Sequence, residues 1–368
     1  MNIAVDLRSL QNNSISGVEN YVLNLLDELL SQDKRNVYIL FFNSVKQINL
    51  PVLNFINVKI VRTRFPNKLL NLLFKFRLLK LENLIGDFDV LFMPNLNIIN
   101  VKKLVKIVIT AHDLSFARCP EFYDIKRLLW HKFLQPKQLF KQAFKILAVS
   151  KFTKQDLVQC YNLNPDKIEV IYPGTNQTIY SNNQLLRETR NLYKLPKDYF
   201  LFLNTLEPRK NLVGIIKAFE YSNVREHLVI AGKVGWKTRQ IMNAIKNNSK
   251  KDKIHYLGYV DEDHKSCLIK MATALLYPSF YEGFGFQVLE AMVVGTPAVI
   301  SQVSALPEVA GDSALLVNPQ NSRDLILAME NLSTSEPLRN ILSDKGSLRV
   351  KNFTWENCAK LTLSALCV

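Results

Sequence analysis

The sequence predicts an α/β protein of two doubly wound domains, each a parallel β-sheet with helices on both faces. Three observations support this prediction. The chain has 368 residues, which is long for one ordinary domain and suits two. Most predicted strands are continuously apolar, as in parallel sheets that are buried on both faces. The strand–helix pattern also stops at Pro173-Gly174 and starts again after a polar stretch.

The first half of the chain alternates apolar strands with helical segments. Helical periodicity is clear over 18–30, where apolar residues recur every three or four positions. The predicted strands are 3–6, 37–42, 58–62, 90–93, 106–112, 145–150 and 168–172. We place the first domain at 1–175 and expect a C-terminal helix, 354–368, to cross back onto it.

The second half repeats this pattern, and we place the second domain at 176–353. Its predicted strands are 199–205, 227–232, 253–258, 273–279, 297–301 and 313–319. Its predicted helices are 211–221, 236–249, 261–271 and 286–294. Ligands of such folds bind outside the C-terminal ends of the strands. We therefore expect the loops of the two domains to face each other across an interdomain cleft.

Composition narrows the class of protein. Hydrophobic residues make up 48% of the chain and the mean hydropathy is +0.01, which is typical of a folded globular protein. The N-terminus lacks the basic region of a signal peptide, and no uncharged apolar stretch of about 18 residues predicts a spanning helix. The five cysteines lack metal or redox spacing, so we expect reduced, buried thiols in a cytosolic protein.

The net charge of +15 is concentrated in one stretch. Between Asp33 and Glu82 there are ten basic residues and no acidic one. This favours an anionic partner such as membrane lipid, nucleic acid or a phosphorylated substrate, with general basicity as the alternative. No recognisable nucleic-acid module accompanies the charge, so no nucleic-acid partner is expected.

Residues 62–80, RTRFPNKLLNLLFKFRLLK, interleave basic and apolar side chains within this stretch. The pattern predicts an amphipathic helix that could lie at an anionic membrane surface. The alternative is an ordinary domain helix whose apolar face packs on the sheet.

Two loops could bind an anion. Arg209 and Lys210 follow the first strand of the second domain and precede a helix, where full charges and helix N–H groups could hold a diphosphate. The alternative is a solvated pair in a turn. Ser16-Gly17 occupies the equivalent place in the first domain, and Gly17 allows close approach of a phosphate. The G-x-G-x-x-G fingerprint is absent.

His112 ends the predicted strand KIVITAH, and Asp113 follows it. Polar residues at the carboxyl end of a parallel strand lie where ligands bind, which favours a functional role for His112. The alternative is that His112 caps a helix or satisfies a backbone group.

The stretch FYEGFGFQVLEAMVVGTP, residues 280–297, holds two glutamates eight positions apart. Glu282 is predicted in a loop with Gly283 and Gly285, and Glu290 within the following helix. Eight helical residues turn through about 800°, so the spacing does not imply an acid/base pair on one face. A carboxylate accepts two hydrogen bonds and suits the vicinal hydroxyls of ribose or hexose. Metal ligation would need a denser cluster of ligands.

These motifs resemble the retaining glycosyltransferases of family 4, in the mannosyltransferase-like subset. The resemblance covers nearly the whole chain and is densest over 199–320. The motifs that carry it are E-x7-E in EGFGFQVLE, PSFYEGFG, EAMVVGTPAVIS, SALPEVAGDSALLVNP, PRKN, HDL and SGVENY. It implies the GT-B architecture, in which two Rossmann-like domains face each other.

The resemblance also implies a role for each matching residue. Glu290 would bind the nucleotide ribose, and Glu282 the hydroxyls of the donor sugar. Arg209 and Lys210 would neutralise the departing diphosphate. His112 would touch the sugar near the reacting carbon. The remaining donor-binding residues would be Gly17, Tyr259, Val260, Phe284, Gly285 and Phe286, of which the last three contribute backbone amides.

The implied reaction is transfer of a hexose from a nucleotide sugar with retention, without a metal or other cofactor. SALPEVAGDSALLVNP, SGVENY and HDL favour mannose and GDP-mannose. UDP-linked hexosyl or N-acetylhexosaminyl transfer, a GT-B epimerase or phosphorylase, and a non-enzymatic binding protein are the alternatives. The expected acceptor is a saccharide or lipid-linked saccharide. The expected location is the cytoplasm, at the inner face of the plasma membrane if 62–80 binds lipid.

Overall fold

A computed structural model describes residues 1–11, 17–45, 55–176 and 182–367. The chain divides into two compact units. The N-terminal unit comprises Met1–Leu114, Leu129–Gly174 and Phe353–Val368. The C-terminal unit comprises Ser115–Leu128 and Thr175–Asn352.

The N-terminal unit contains a parallel sheet whose strand order is β3-β2-β1-β4-β5-β6-β7. Its strands are β1 (Asn2–Asp6), β2 (Val37–Asn43), β3 (Val58–Thr63), β4 (Val90–Met93), β5 (Lys106–Ala111), β6 (Lys145–Ala148) and β7 (Ile168–Val170). In the central strand β1, both faces of the sheet are covered, because every residue from Ile3 to Asp6 is buried.

The C-terminal unit contains a second parallel sheet, with the order β10-β9-β8-β11-β12-β13. Its strands are β8 (Tyr199–Leu203), β9 (His227–Ala231), β10 (Ile254–Gly258), β11 (Ala274–Tyr277), β12 (Ala298–Ser301) and β13 (Leu315–Val317). All five residues of β8 are buried. In both units the chain runs outwards from the first strand on one side and then on the other, as in Rossmann-like folds. The predicted pair of parallel sheets is confirmed.

Helices cover the sheets, and their apolar sides supply the rest of the two cores. Phe74 and Phe140 pack into the N-terminal core, and Ile215, Phe219 and Met329 into the C-terminal one. The described helices are α1 (Gly17–Gln32), α2 (Asn67–Lys75), α3 (Glu82–Ile85), α4 (Ser115–Arg118), α5 (Ile125–Leu134), α6 (Pro136–Gln142), α7 (Lys151–Tyr161), α8 (Asn183–Leu192), α9 (Leu212–Tyr221), α10 (Arg239–Asn247), α11 (Glu262–Lys270), α12 (Phe286–Val293), α13 (Leu306–Ala310), α14 (Ser322–Thr334), α15 (Glu336–Arg349) and α16 (Trp355–Leu366).

The last helix, α16, returns to the N-terminal unit and packs on α1. The Trp355 ring lies 5.8 Å from that of Tyr21. A Cβ atom at Gly174 would come within 2.2 Å of the backbone nitrogen of Trp355, so only glycine fits where the two segments meet.

The segment Ser115–Leu128, which the sequence analysis assigns to the first domain, belongs instead to the C-terminal unit. The Phe122 ring stacks on that of Phe280 at 5.3 Å. Trp236 Nε1 donates to the Phe122 carbonyl at 2.7 Å, and the Arg127 guanidinium lies 4.1 Å from the Trp236 ring centroid. These aromatic partners are more than a hundred residues apart, which strand–helix periodicity does not reveal.

Two helices are shorter than predicted because left-handed residues lie at their ends. The amphipathic segment 62–80 is not one helix: α2 ends at Lys75, and Arg77 adopts φ +58°. Likewise α10 begins at Arg239 rather than at 236, since Lys237 adopts φ +53°. A side chain in this region of φ interrupts a right-handed helix.

The five cysteines are free thiols, but their burial differs from the expectation. Cys267 and Cys358 are buried, Cys119 and Cys160 are half-buried, and Cys367 is exposed. In the ranges that the structure describes, no helix is both long enough and apolar enough to cross a bilayer.

Candidate functional site

The candidate residues of the C-terminal unit lie where the strand order of its sheet reverses, between β8 and β11. Arg209 and Lys210 follow β8, and Glu282 follows β11. Because β8 and β11 are adjacent and parallel, the loops after them meet at one edge of the sheet. Such an edge is the usual ligand site of doubly wound sheets.

The P-R-K-N sequence folds into a short turn that holds both cations in place. Pro208 begins a 3-10 turn that ends at Lys210, and Asn211 then adopts φ +58° before α9 begins. Asparagine tolerates this conformation better than most residues. The Asn211 amide donates to the carbonyls of Pro278 (3.1 Å) and Pro319 (2.8 Å). The turn is therefore fastened to the loop that carries Glu282.

Four charged side chains form a buried network in this turn. Arg209 Nη2 lies 2.6 Å from Glu207 Oε1, and Arg209 Nη1 lies 3.0 Å from Glu282 Oε2. Lys210 Nζ lies 2.7 Å from Glu282 Oε1. Each of the four side chains is at most 11% exposed. Two cations balance two carboxylates, so Arg209 and Lys210 are already paired before any ligand binds.

The network keeps Glu282 ionised. Burial alone raises the pKa of Glu282, but the charges of Lys210 and Arg209 outweigh burial and bring this pKa to about 2. Burial lowers the pKa of Lys210, and the neighbouring Arg209 lowers it further, against the opposing effect of Glu282. Glu282 is thus a carboxylate at neutral pH and an acceptor of hydrogen bonds, in line with a hydroxyl-binding role rather than that of a general acid.

Tyr277, the last residue of β11, extends the network through its hydroxyl group. Asn204 Nδ2 donates to this hydroxyl at 3.0 Å, and Lys210 Nζ lies 3.4 Å from it. The hydroxyl donates in turn to Gln287 Oε1 at 3.1 Å. The sequence analysis did not select Tyr277 or Asn204. The available signal was their position at the carboxyl ends of strands, since Tyr277 ends β11 and Asn204 follows β8.

Gly285 allows the loop after Glu282 to enter α12. It adopts φ +117°, and a Cβ atom there would come within 2.6 Å of Leu306 Cδ2, so glycine is required. The rings of Phe284 and Phe286 pack edge to face at 5.3 Å. The backbone at Phe284, Gly285 and Phe286 forms the start of α12, where helix amides and the helix dipole favour an anion.

Glu290 lies on α12 and pairs with Lys265 of α11. Lys265 Nζ is 2.6 Å from Glu290 Oε1, with side chains 17% and 16% exposed. Burial lowers the pKa of Lys265, but Glu290 and Glu262 outweigh burial, so the pKa is raised. Among the described residues, the second oxygen of Glu290, Oε2, is buried and has no hydrogen-bond partner. Oε2 could accept a hydrogen bond from a ligand hydroxyl group, and Lys265 joins the candidate residues although no sequence motif indicated it.

Tyr259 and Val260 follow β10, at the same edge of the sheet. Val260 is buried, whereas Tyr259 is half exposed and the ammonium of Lys233 lies 4.4 Å from its ring centroid. Lys233 follows the neighbouring strand β9. An exposed ring with a cation on its face offers a surface for stacking and for an acceptor group of a base.

His112 follows β5 in the N-terminal unit. Its Nε2 lies 2.8 Å from the Pro94 carbonyl, and its ring meets the Tyr21 ring edge to face at 4.8 Å. A carbonyl only accepts, so Nε2 carries the proton and Nδ1 is the acceptor. Burial lowers the pKa of His112, which keeps the ring neutral at pH 7. His112 thus satisfies the backbone carbonyl of Pro94, which is part of the alternative interpretation of this residue.

Gly17, the other candidate of the N-terminal unit, is exposed and forms the first residue of α1. Its neighbour Ser16 lies outside the described residues. Within the described ranges, no group of three or more His, Cys, Asp or Glu side chains could hold a metal ion.

The structure therefore brings Arg209, Lys210 and Glu282 into one network, and it places Gly285 directly before the helix that carries Glu290. Glu207 completes the network and was not selected from the sequence. The available signal for Glu207 was its position directly before the P-R-K-N turn.

Both halves of the chain match models of glycosyltransferase families. Residues 15–178 match the model of Glycosyltransferase Family 4, and residues 187–349 match that of Glycosyl transferases group 1. The O-antigen chain mannosyltransferase B of Escherichia coli is 33% identical over 276 residues, covering 72% of this chain and 70% of that protein. The O-antigen chain mannosyltransferase RfbU of Salmonella typhimurium is 28% identical over 225 residues, covering 61% and 60%.

A solved structure of Anabaena Alr3699/HepE in complex with UDP-glucose has a TM-score of 0.75 to this chain at 16% sequence identity. The match covers 100% of both chains. At this identity, the comparison supports the fold alone.

Proposed function

The chain belongs to the family 4 glycosyltransferases and is a glycosyltransferase of GT-B fold, and from that premise we propose that it transfers mannose from GDP-mannose to a saccharide or lipid-linked saccharide, with retention at the anomeric carbon. The observation that carries the proposal is the buried network of Arg209, Lys210 and Glu282 at the strand-order reversal. It combines a hydroxyl acceptor with cations at a typical ligand edge.

The ribose of the donor is bound by Glu290 in this proposal. Glu290 Oε2 is buried and has no partner among the described residues, while Lys265 holds Oε1. A ribose hydroxyl would supply the missing donor to Oε2. The base would lie beside Tyr259 and Val260, with Lys233 next to the Tyr259 ring.

The donor sugar is bound by Glu282, and the leaving diphosphate is stabilised by Lys210, Arg209 and the start of α12. The anomeric carbon gains positive character as the diphosphate departs with growing negative charge. Groups aimed at such growing charge lower the barrier, because they contribute more in the transition state than in the ground state. Since the network is neutral overall, the diphosphate would share Lys210 and Arg209 with the carboxylates of Glu282 and Glu207.

Retention is proposed to proceed by attack on the face from which the diphosphate leaves, with a phosphate oxygen taking the acceptor's proton. A neutral His112 would contact the sugar near the reacting carbon without adding a charge there. The reaction is proposed to need no metal, because Arg209, Lys210 and helix amides supply the positive charge.

Mannose is favoured as the transferred sugar because two relatives are named as mannosyltransferases of O-antigen chains. The sequence motifs favour the same subset. A UDP-linked donor is the second candidate, since backbone groups at Tyr259 and Val260 would discriminate weakly between bases.

We also propose that 62–80 contacts an anionic membrane surface, so that a lipid-linked acceptor meets the enzyme there. In α2, Leu70 and Phe74 are buried in the core, as the alternative interpretation expected. The apolar residues that remain exposed are Leu69, Leu72, Phe76 and Leu78, and they are interleaved with exposed Lys68, Arg77 and Lys80. Exposed apolar and basic residues together suit an anionic lipid surface.

Thermal unfolding with GDP, UDP, ADP and their sugars tests the donor proposal. A bound nucleotide raises the melting temperature by mass action, and we expect GDP and GDP-mannose to raise it most. If no nucleotide raises it, the proposed donor site is wrong. If only UDP and its sugars do, the proposed donor is wrong.

A further inference from the structure

A cavity of about 680 Å³ opens on the N-terminal unit, away from the candidate residues at the carboxyl ends of its strands. It lies between α2, α6 and the segment that leads into β5. Val105 and Ile107 line it at the beginning of β5, whereas His112 follows the end of that strand. Six residues of strand separate these positions by about 20 Å. The cavity is therefore a separate site.

The lining of this cavity is basic. It comprises five cations, four side-chain amides and eight apolar side chains, and no carboxylate. The cations are Lys75, Arg77, Lys80, Lys102 and Lys103. A concave surface with one sign of charge concentrates the electrostatic potential and attracts ions of the opposite sign.

Few carboxylates offset these charges. Among the described residues, Arg77, Lys80 and Lys103 form no ion pair. Lys102 pairs with Asp87, but both side chains are more than half exposed, so the pair is weak.

The remaining polar contacts of Lys75 and Lys102 do not neutralise the positive charge of the cavity lining. Lys75 Nζ donates to two neutral acceptors, the Phe133 carbonyl at 2.7 Å and Gln135 Oε1 at 2.6 Å. Glu82, which is not part of the lining, accepts the backbone N–H of Lys102. The cavity thus keeps a surplus of positive charge for an anion.

Arg77 occupies a backbone position that ordinarily favours glycine. It follows the end of α2 with φ +58°, and its N–H donates to the Phe74 carbonyl at 3.1 Å. A residue with a Cβ atom is less favourable than glycine in this left-handed conformation. The fold therefore does not require an arginine at this position, and the side chain of Arg77 is part of the cavity lining.

Apolar residues adjoin the basic lining and indicate what kind of anion fits. Phe76 and Leu78 flank Arg77 in the chain and are 66% and 74% exposed. Leu104 follows Lys103 and is 96% exposed. Cations inside the cavity and exposed apolar side chains beside it match a phosphate joined to a hydrocarbon chain better than a free anion, which would leave the apolar residues in water.

We propose that this cavity binds the phosphate head group of a lipid phosphomonoester, whose hydrocarbon chains lie against Phe76, Leu78 and Leu104. The inference rests on the membrane contact proposed above and adds a head-group site to it. A phosphomonoester carries nearly two negative charges at neutral pH and three strong acceptor oxygens. A phosphodiester lipid offers one charge and fewer acceptors to the same five cations.

Vesicle co-sedimentation tests this site without any nucleotide sugar. The probes are phosphatidylcholine vesicles alone, vesicles containing phosphatidate, and vesicles containing phosphatidylglycerol at the same surface charge, with inorganic phosphate as a soluble competitor. We expect the protein to prefer phosphatidate to phosphatidylglycerol by roughly fivefold or more. Inorganic phosphate at the same phosphate concentration should not displace the protein from phosphatidate vesicles.

The double variant Arg77→Gly, Lys103→Gln should lose the preference and bind phosphatidate vesicles about thirtyfold more weakly, since each basic residue near the surface contributes a factor of roughly five. Its fold should survive, because glycine relieves the left-handed backbone at 77 and Lys103 is exposed. The matched control is Lys59→Gln, Lys360→Gln, which also removes two exposed cations. Lys59 lies on β3, four strands from β5, at about 19 Å across the sheet.

Equal losses in the two double variants would overturn the site, as would binding without preference for phosphatidate or full displacement by inorganic phosphate. Binding to neither anionic vesicle would overturn the membrane contact as well. All of these outcomes are independent of the melting-temperature panel, which tests the donor.

Discussion

The ammonium group of Lys265 lies 2.6 Å from one carboxylate oxygen of Glu290, and the other oxygen of Glu290 is buried with no partner among the described residues. Lys265 thus fixes the carboxylate so that Oε2 alone is left for a ligand hydroxyl. The pair joins α11 to α12 and defines the place of the ribose in the proposed donor site.

Replacing Lys265 by methionine should weaken nucleotide binding more than catalysis. Without its counter-charge the half-buried Glu290 is no longer fixed, and we expect the Kd for GDP to rise about tenfold. The kcat at saturating donor should change by no more than about twofold, because the ribose keeps its contacts between ground state and transition state. Calorimetry and steady-state kinetics measure the two quantities.

Two variants control this comparison. Lys265→Arg keeps the charge and should recover most of the affinity, whereas Lys246→Met removes an exposed lysine of α10 and should have no effect. Equal affinity of Lys265→Met and Lys246→Met for GDP would show that the pair has no part in donor binding.

Replacing Glu282 by glutamine should destabilise the protein in a pH-dependent way. It leaves Lys210 buried without its carboxylate, and breaking a buried pair costs about 3 kcal/mol at pH 7. The pKa of Glu282 is about 2 in the folded protein against an ordinary 4.5, so the carboxylate stabilises the fold above pH 4.5. This stabilisation is lost as the pH falls from 4.5 towards 2, and the difference between wild type and variant should shrink over that window.

Urea unfolding of wild type and Glu282→Gln, measured from pH 7 downwards, tests this expectation. Glu121→Gln, an exposed glutamate of the same unit, is the control and should match the wild type throughout. A difference between wild type and Glu282→Gln that stays constant across the acid range would mean that Glu282 does not carry the stabilising charge.

Replacing Arg209 by alanine should reduce turnover more than donor binding. In the proposed mechanism, Arg209 faces a diphosphate whose charge grows as the sugar leaves, so its loss should lower kcat by about a hundredfold. The Kd for the donor should rise far less. Because Arg209 is buried between Glu207 and Glu282, the melting temperature of the variant must show that it is folded under the assay conditions. Equal losses in kcat and affinity would contradict the transition-state role.

His112 should remain neutral through the physiological range and carry its proton on Nε2. Burial lowers the pKa of His112, and the Pro94 carbonyl requires a donor at Nε2. Nitrogen NMR of the five histidines, with His112→Gln to assign the resonance, reports both the tautomer and the titration. A titration above pH 7, or a proton on Nδ1, would be incompatible with this geometry.

The elements that follow from local pattern were predictable from the sequence. Continuously apolar strands indicated the parallel sheets, and the glycines before Phe286 indicated the loop-to-helix transition that separates Glu282 from Glu290. The P-R-K-N motif indicated a turn after a strand end, and anion binding at this turn stays a prediction. In each case the signal lies within about ten neighbouring residues, where strand and helix periodicity acts.

Contacts between distant segments were not predictable in this way. Lys265 meets Glu290 through the packing of α11 on α12, and the stack of Phe122 on Phe280 moves 115–128 into the C-terminal unit. The early end of α2 depends on Arg77, which adopts a left-handed conformation that its residue type does not predict. The neutral charge balance around Arg209 likewise depends on Glu282, which lies 73 residues away in the sequence and contacts the guanidinium together with Glu207.

The release of nucleotide from two donors, in the presence of detergent-solubilised lipid-linked saccharides, tests the central claim most directly. We predict that kcat/KM for GDP release from GDP-mannose exceeds that for UDP release from UDP-glucose by about tenfold or more. We also predict that Lys210→Gln nearly abolishes GDP release. Faster use of UDP-glucose, or release of GDP at the same rate by wild type and Lys210→Gln, would contradict the proposed mannosyl transfer at this site.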